Sequence, residues 1–205
     1  MKEIGSVQEF SNGNFELIEN VIVPEKEKKS FLIKLNLYTL LFMVIFLGVS
    51  IGIYLLIHDI ILIGFGLLGP ILFLFSFFIY IVIHELLHGL AFMLFNKNKK
   101  NELKFGLVLK SGLAYCISTV PVKVGPGKLS LMMPVYVVCI PLYLLAMISG
   151  DIWLIIMAVF FLSGSTGDFY YMWKLRNTNK NLYMYELMPT KTGYEIGYLL
   201  YKKID

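Results

Sequence analysis

The chain has 205 residues, 58% of them hydrophobic, with a mean hydropathy of +0.73 and a formal net charge of +4. A soluble domain of this length seldom reaches such an apolar fraction, so the composition indicates a small polytopic membrane protein. The positive charge does not favour nucleic acid as a partner, because the basic residues flank the apolar runs, where cytoplasmic anchoring accounts for them. Cys116 and Cys139 form no CxxC-type pattern, so we predict free thiols.

Four apolar stretches follow one another along the chain, and a helix needs about 20 apolar residues to cross a bilayer. We predict an all-α polytopic membrane protein with four transmembrane helices and a small β-hairpin between helices two and three. Residues 60–69 are interpreted as a turn and a kinked helix start before the second span. The predicted spans cover residues 33–57, 67–95, 129–148 and 152–175.

The polar ends of the chain divide it into three predicted segments. These are a cytoplasmic N-terminal segment over residues 1–30, a four-helix transmembrane domain over 31–175, and a cytoplasmic tail over 176–205. We assign only weak structure to the tail. The first thirty residues are polar and mixed in charge, so we expect no cleavable signal peptide there.

The loop after the second span contains the predicted hairpin. Its sequence, LKFGLVLKSGLAYCISTV, is rich in β-formers and has a turn signal at Ser111-Gly112. We predict strands over residues 103–109 and 113–120.

The basic residues predict the orientation. Every Lys and Arg lies in the N-terminal segment with the foot of the first span, in the loop after the second span, or in the tail with the end of the fourth. The short turns at residues 58–59 and 149–151 contain none. The positive-inside rule therefore predicts a multi-pass protein of the cell membrane with both termini and the central loop in the cytoplasm.

Three ionisable residues interrupt the second span in the stretch IVIHELLHGLAF. His84 and His88 are four residues apart, so they share one face of a helix and can bind one metal ion. Glu85 borders the same site. This His-Glu-x-x-His pattern is the zincin arrangement, in which two histidines bind zinc and the glutamate acts as general base toward the attacking water. Ionisable groups inside a span are energetically costly, which favours a functional reading.

Two simpler readings stay open for this cluster. The three side chains could form a polar group that bonds to neighbouring helices without metal. Alternatively, a site that was once catalytic could now serve as a scaffold.

A hydrolytic zinc site usually has a third protein ligand. His58 is the only other histidine, but it belongs at the opposite membrane face, where we interpret it as an interfacial turn residue. Asp168 is the one acidic residue inside the fourth span. His88 lies nine residues before Lys97 and Asp168 six before Lys174, which are about 13 and 9 Å of helix, so their depths are similar. A role for Asp168 in capping or bonding a neighbour remains the alternative.

Four motifs in order, HELLHGLAF, KFGLVLKSGLAY, SGSTGDFYYMW and GYEIG, resemble the small bacterial family of membrane proteins known as putative zincin peptidases. More broadly, the chain is similar to the site-2 protease class of intramembrane metalloproteases. The resemblance implies zinc ligands His84, His88 and Asp168, with Glu85 as base. One departure is that site-2 proteases usually place the aspartate before a glycine in a broken helix, whereas Gly167 precedes Asp168 here.

The predicted function is an intramembrane Zn²⁺ metalloendopeptidase that hydrolyses a membrane-bound peptide or protein near the cytoplasmic face. The lipid bilayer is its expected surrounding, nucleic acid is not an expected partner, and the sequence leaves the oligomeric state open. The alternative is a non-catalytic metal-binding or scaffold protein that retains the motif. Glu195, in the GYEIG motif over residues 193–197, is interpreted as a solvated tail residue or as a group near the site.

Overall fold

The computed structural model describes residues 15–58, 66–108, 113–187 and 196–204. Helices account for most of these residues. The α-helices are α1 (Glu25–Ile57), α2 (Gly69–Phe95), α3 (Val124–Ser149), α4 (Ile152–Gly164) and α5 (Thr166–Leu175). Short 3₁₀ turns lie at Gly66–Leu68 and Lys100–Glu102.

The connection between α3 and α4 shows how local sequence sets the helix ends. Gly150 ends α3 in the left-handed conformation, at φ +67°, which glycine adopts without steric cost. Asp151 then caps α4, because its side chain accepts hydrogen bonds from the backbone N–H groups of Trp153 and Leu154 at 2.8 and 3.2 Å. The sequence Ser-Gly-Asp therefore produces a tight turn between two apolar helices.

Two helices deviate from regular α geometry. Within α3, a π-helical turn at Val135–Cys139 follows Pro134, which has no N–H to donate. Between α4 and α5 the chain bends by 42° at Ser165. Both irregularities lie in the part of the fold that surrounds Tyr80.

The prediction of an all-α fold is wrong, because the ends of the chain form a β-sheet. The described strands are β1 (Phe15–Ile22), β2 (Leu103–Val108), β3 (Leu113–Ser118), β4 (Val122–Lys123), β5 (Tyr183–Glu186) and β6 (Gly197–Lys203). Four of them make an antiparallel sheet in the order β1-β6-β5-β4. The tail over residues 176–205, for which we predict only weak structure, supplies two of its strands.

Gly197 allows β1 and β6 to approach. Its φ is +141°, and a Cβ atom at this position would lie 2.1 Å from the carbonyl oxygen of Val21. Only glycine tolerates this backbone conformation at such a distance. This residue ends the GYEIG motif, so a structural requirement accounts for its second glycine.

The predicted hairpin is present as the two-stranded sheet of β2 and β3. Its register runs from Leu103 opposite Ser118 to Val108 opposite Leu113. Gly106 leaves room for the ring of Tyr115, since a Cβ there would lie 2.4 Å from the Tyr115 hydroxyl oxygen. The predicted turn at Ser111-Gly112 lies outside the described residues.

Three of the described helices, α1, α2 and α3, are long and apolar enough to cross a membrane. The prediction of four such helices is therefore also wrong as stated: α4 and α5 reach the required length only if the bent pair is counted as one span. The break at Ser165 divides the stretch that the hydropathy pattern joins into one helix. Of the segment interpreted as a turn and kinked helix start, residues 60–65 lie outside the described part of the chain.

The chain divides into two compact units. The sheet unit consists of Met1–Lys28, Gly89–Ser130 and Leu175–Asp205, and the helical unit of Lys29–His88 and Leu131–Lys174. The sheet unit has a buried cluster that includes Tyr185, Leu199 and Tyr201. The predicted boundaries at residues 30 and 175 separate the membrane-spanning part of the chain from its cytoplasmic ends. These boundaries stay a prediction.

Within the described residues of the helical unit, buried clusters lie around Tyr54 and around Tyr80. Aromatic rings contribute much of the packing, as in the parallel stacking of Tyr80 on Phe161 with ring centroids 4.1 Å apart. The cluster around Tyr80 brings together residues of α2, α3 and α4. The candidate site belongs to this same unit.

Candidate metal centre

His84 and His88 lie on one face of α2, one turn apart. The Nε2 atoms of the two imidazoles are 3.0 Å from each other, and both side chains are largely buried, with about a tenth of their surface exposed. This is the convergence that the four-residue spacing predicts on a helix.

Asp168 reaches the two histidines from the first turn of α5. Its Oδ2 atom lies 3.1 Å from Nε2 of His84, and its Oδ1 atom lies 3.4 Å from Nε2 of His88. The bend at Ser165 comes three residues before Asp168. Asp168 therefore follows a break in the helix. The order of glycine and aspartate is nevertheless the reverse of that usual in site-2 proteases, because Gly167 precedes Asp168.

The small residues before Asp168 differ in how closely they pack against neighbouring atoms. Ser165 is fully buried, and a Cβ at Gly164 would make an ordinary contact of 3.9 Å with the Tyr80 ring. A Cβ at Gly167 would meet no atom within 4 Å. Close packing in this region therefore depends on Ser165 rather than on Gly167.

The three side chains fit a zinc ion by chemistry and by spacing. One ligand atom from each lies within 4.8 Å of the others. Around tetrahedral zinc with ligand bonds of about 2.0–2.1 Å, neighbouring ligand atoms are about 3.3 Å apart. The two histidine Nε2 atoms are 3.0 Å apart, and each lies 3.1 or 3.4 Å from one of the two carboxylate oxygens of Asp168. Although Nε2 of His84 lies 3.1 Å away, the buried Oδ2 of Asp168 has no donor with hydrogen-bond geometry among the described residues. A buried carboxylate oxygen requires a partner, and a cation would supply one.

Glu85 lies between the histidines in sequence and is half-buried on α2. It is not one of the three converging residues. The zincin pattern assigns it to the attacking water rather than to the metal, and this role of Glu85 stays a prediction.

His58 and Glu102, which also carry groups that can bind a metal, make other contacts. His58 Nε2 lies 2.9 Å from the carbonyl oxygen of Met147, so the imidazole bonds to the C-terminal turn of α3. Glu102 accepts a hydrogen bond from the backbone N–H of Lys99 and one from the Asn98 side chain. Glu195 lies outside the described residues.

A family model described as "Putative zincin peptidase" matches residues 77–183, just over half of the chain. The chain belongs to this zincin peptidase family. The matched segment includes both histidines of α2, the hairpin and Asp168. No curated protein and no solved structure matches the chain.

Membership in the zincin peptidase family supports a metallopeptidase and implies zinc as its cofactor. Within the described residues, the group of His84, His88 and Asp168 could hold that ion. The family prediction is thus confirmed. The individual roles of these residues and of Glu85 stay predictions, as does the likeness to site-2 proteases.

Sequence reasoning missed Tyr80, although a signal for it exists. Tyr80, His84 and His88 are spaced at intervals of four residues, so the tyrosine lies on the face that carries both histidines. Its hydroxyl oxygen is 3.0 Å from Nδ1 of His84. The partners that Tyr80 meets on other helices have no such signal, because they are about 60 to 85 residues away in sequence.

Proposed function

We propose that this protein is an intramembrane zinc metalloendopeptidase that hydrolyses a membrane-associated peptide or protein near the cytoplasmic face. The observation that carries the proposal is the convergence of His84, His88 and Asp168 in a buried group within a strongly apolar helical unit. Two imidazoles and a carboxylate form a zinc ligand set that leaves a fourth position for water or substrate.

The exposed apolar surface of the long helices supports a location in a lipid bilayer. In the most apolar window of α1 only 11% of the residues are buried inside the protein, and in that of α2 only 6%. A helix that is apolar all round must be covered by protein or by lipid, and the chain itself covers little of these two. We infer that lipid covers them.

The basic residues support cytoplasmic termini and a cytoplasmic central loop. Lysines accumulate in the first three turns of α1 and just after α2, and Lys174 and Arg176 lie at the end of α5. Their ammonium and guanidinium groups are retained on the cytoplasmic side of a membrane. His88 and Asp168 lie nine and six residues from the nearest such lysine along the chain, which would place hydrolysis near that side.

In the proposed reaction, His84, His88 and Asp168 hold the metal and Glu85 acts as general base. Zinc, when bound, polarises the scissile carbonyl and lowers the pKa of a coordinated water molecule. Glu85 would accept the proton of the attacking water and deliver it to the leaving amine. The apolar helices around the site would exclude bulk water, which strengthens each electrostatic interaction there.

The experiment that tests this function separates metal binding from hydrolysis. We expect Glu85→Gln to keep wild-type zinc content and to lose hydrolysis by about 10²–10⁴-fold, because glutamine keeps the shape but cannot accept the proton. Zinc content and turnover are measured on the same purified preparation, and the natural substrate is sought by comparing the membrane proteomes of cells carrying either form. Glu27→Gln is the matched control, since Glu27 is an exposed carboxylate in the first turn of α1.

Full activity of Glu85→Gln would reject the zincin mechanism. Membrane proteins that accumulate in cells carrying Glu85→Gln are the candidate substrates. If the wild-type protein binds zinc but hydrolyses none of them, the non-catalytic metal-binding alternative is favoured. The proposed enzyme requires both zinc and a product that depends on Glu85.

A further inference from the structure

Tyr80 lies one turn before His84 on α2 and is 94% buried, with 6% of its surface exposed. Its ring stacks on the ring of Phe161 at an interplanar angle of 3°. This packing holds the phenol in one orientation. Its hydroxyl group therefore has a defined set of neighbours.

Four polar groups surround the Tyr80 hydroxyl oxygen. The carbonyl oxygen of Phe161 and Nδ1 of His84 are each 3.0 Å away, Oγ of Ser165 is 3.2 Å away, and Sγ of Cys139 is 3.3 Å away. A tyrosine hydroxyl has one proton to donate and can accept from others. The identity of the acceptor therefore decides what the hydroxyl does at His84.

The carbonyl of Phe161 is the neighbour that requires a donor. In a continuous helix it would accept from the backbone N–H of Ser165, four residues on. The bend removes that bond, since the Ser165 N–H donates to the carbonyl of Leu162 at 3.2 Å instead. A buried carbonyl without a donor is destabilising, and a carbonyl can only accept. The Tyr80 O–H therefore donates to Phe161.

The tautomer of His84 follows from this assignment. With its proton committed to Phe161, the Tyr80 oxygen accepts from Nδ1–H of His84. A neutral imidazole carries one N–H, so Nε2 keeps its lone pair. That nitrogen is the His84 atom that faces His88 and Asp168.

We propose that Tyr80 is a positioning residue for the metal site: it holds His84 in the Nδ1–H tautomer, so that the Nε2 lone pair points to the zinc. The proposal rests on the metal site of the proposed function. The same hydroxyl links α2 to the end of α4, next to the bend that precedes Asp168. Tyr80 thereby ties the histidine ligand to the segment that presents the aspartate ligand.

The test uses the full chain, purified in detergent and stripped of metal with a chelator. Zinc affinity is measured by competition with a chromophoric chelator, and the absorption spectrum of bound Co²⁺ reports the ligand geometry. We expect Tyr80→Phe to bind zinc about 10–100-fold more weakly and to show an altered Co²⁺ spectrum, as is typical when the partner of a ligating histidine is lost.

Tyr54→Phe is the matched control. Tyr54 is also a buried tyrosine of the helical unit, and its hydroxyl donates to a helix-end carbonyl, that of Gly150, at 2.9 Å. It loses a comparable hydrogen bond, but that bond goes to the carbonyl of Gly150 rather than to a predicted ligand, so its zinc affinity and Co²⁺ spectrum should match those of the wild type. Equal zinc affinity and equal spectra in Tyr80→Phe and Tyr54→Phe would overturn the proposal.

A second measurement needs no variant that has to fold. In zinc-loaded wild-type protein, long-range ¹H–¹⁵N correlation spectra of the imidazoles should show His84 protonated at Nδ1 and coordinated through Nε2. Coordination through Nδ1 would overturn the role of Tyr80 while leaving the metal site intact. Absence of zinc binding in the wild type would instead reject the metal site itself, and Tyr80 would lose its proposed role with it.

Discussion

At the scale of single residues, the candidate site consists of polar side chains buried in an apolar unit, and each of them needs a partner. A buried carboxylate without a partner costs several kcal/mol or takes up a proton. Asp168 meets two imidazoles, yet its Oδ2 atom still lacks a hydrogen-bond donor within the described part of the chain. A metal ion satisfies both imidazoles and the carboxylate at once. This makes Asp168 the residue whose loss is most informative.

We predict that Asp168→Ala lowers zinc stoichiometry and hydrolysis together, because two histidines alone leave the ion half-coordinated by protein. Asp168→His should retain part of both, since it restores a ligand. Zinc per chain is measured by atomic emission after dialysis against a weak chelator. Asp151→Ser is the control: it removes another carboxylate of the helical unit but keeps a side-chain oxygen for the cap of α4.

Wild-type zinc content in Asp168→Ala would show that the third ligand lies elsewhere. Glu102 and Glu195 would then be the first residues to substitute. The metalloprotease mechanism could survive that result, whereas the assignment of Asp168 could not.

At the scale of elements, irregular segments and close approaches shape this fold. The π-helical turn of α3 contains Cys139 at its end, and the bend after α4 contains Ser165; both residues contact the Tyr80 hydroxyl. π-Turns and helix breaks are frequent at functional sites, because they direct groups that a regular helix would point elsewhere. In the sheet unit, the close approach of β1 and β6 at Gly197 joins the two ends of the chain.

We predict that Gly197→Ala destabilises the sheet unit by about 1–3 kcal/mol, because alanine must adopt φ +141° and its Cβ would overlap the Val21 carbonyl. Chemical denaturation followed by tyrosine fluorescence, with limited proteolysis of both chain ends, measures the effect. Gly48→Ala is the control, since a Cβ at that position meets no atom within 4 Å. Equal stability of the two variants would contradict the strand pairing at this point.

At the scale of the whole molecule, two features must coexist: helices that expose apolar surface, and polar chain ends that build a sheet. Leu56 is 88% exposed and Ile148 79% exposed at the ends of their helices. Such surface is unfavourable in water and favourable in lipid. The charged segments should therefore determine how the protein is oriented.

We predict that reporter fusions after residue 30, after residue 100 and at the C-terminus all report the cytoplasm. The reason is the one-sided placement of every Lys and Arg along the chain. Alkaline phosphatase and fluorescent-protein fusions at the same three positions give opposite signals and control for expression. A fusion after residue 100 that reports the outside would move the predicted hydrolysis to the other membrane face.

Much of the molecule follows from short-range patterns in the chain. The spacing of His84 and His88 places both imidazoles on one helix face whatever packs around them. The hairpin is encoded by β-formers around a turn signal, and the three long helices by long, predominantly apolar runs. Each of these depends on residues within a few turns of one another, where backbone geometry alone sets the outcome.

Contacts between distant segments could not be foreseen in this way. The strand pairing of Phe15–Ile22 with Gly197–Lys203 joins segments about 180 residues apart, and neither segment carries a signal that names the other. At the break the Ser165 N–H donates to Leu162 rather than to Phe161, and the hydroxyl of Tyr80 on another helix donates to the Phe161 carbonyl instead. Hydrophobic patterning specifies which faces are apolar, but the partner of each buried polar atom depends on which helices pack together.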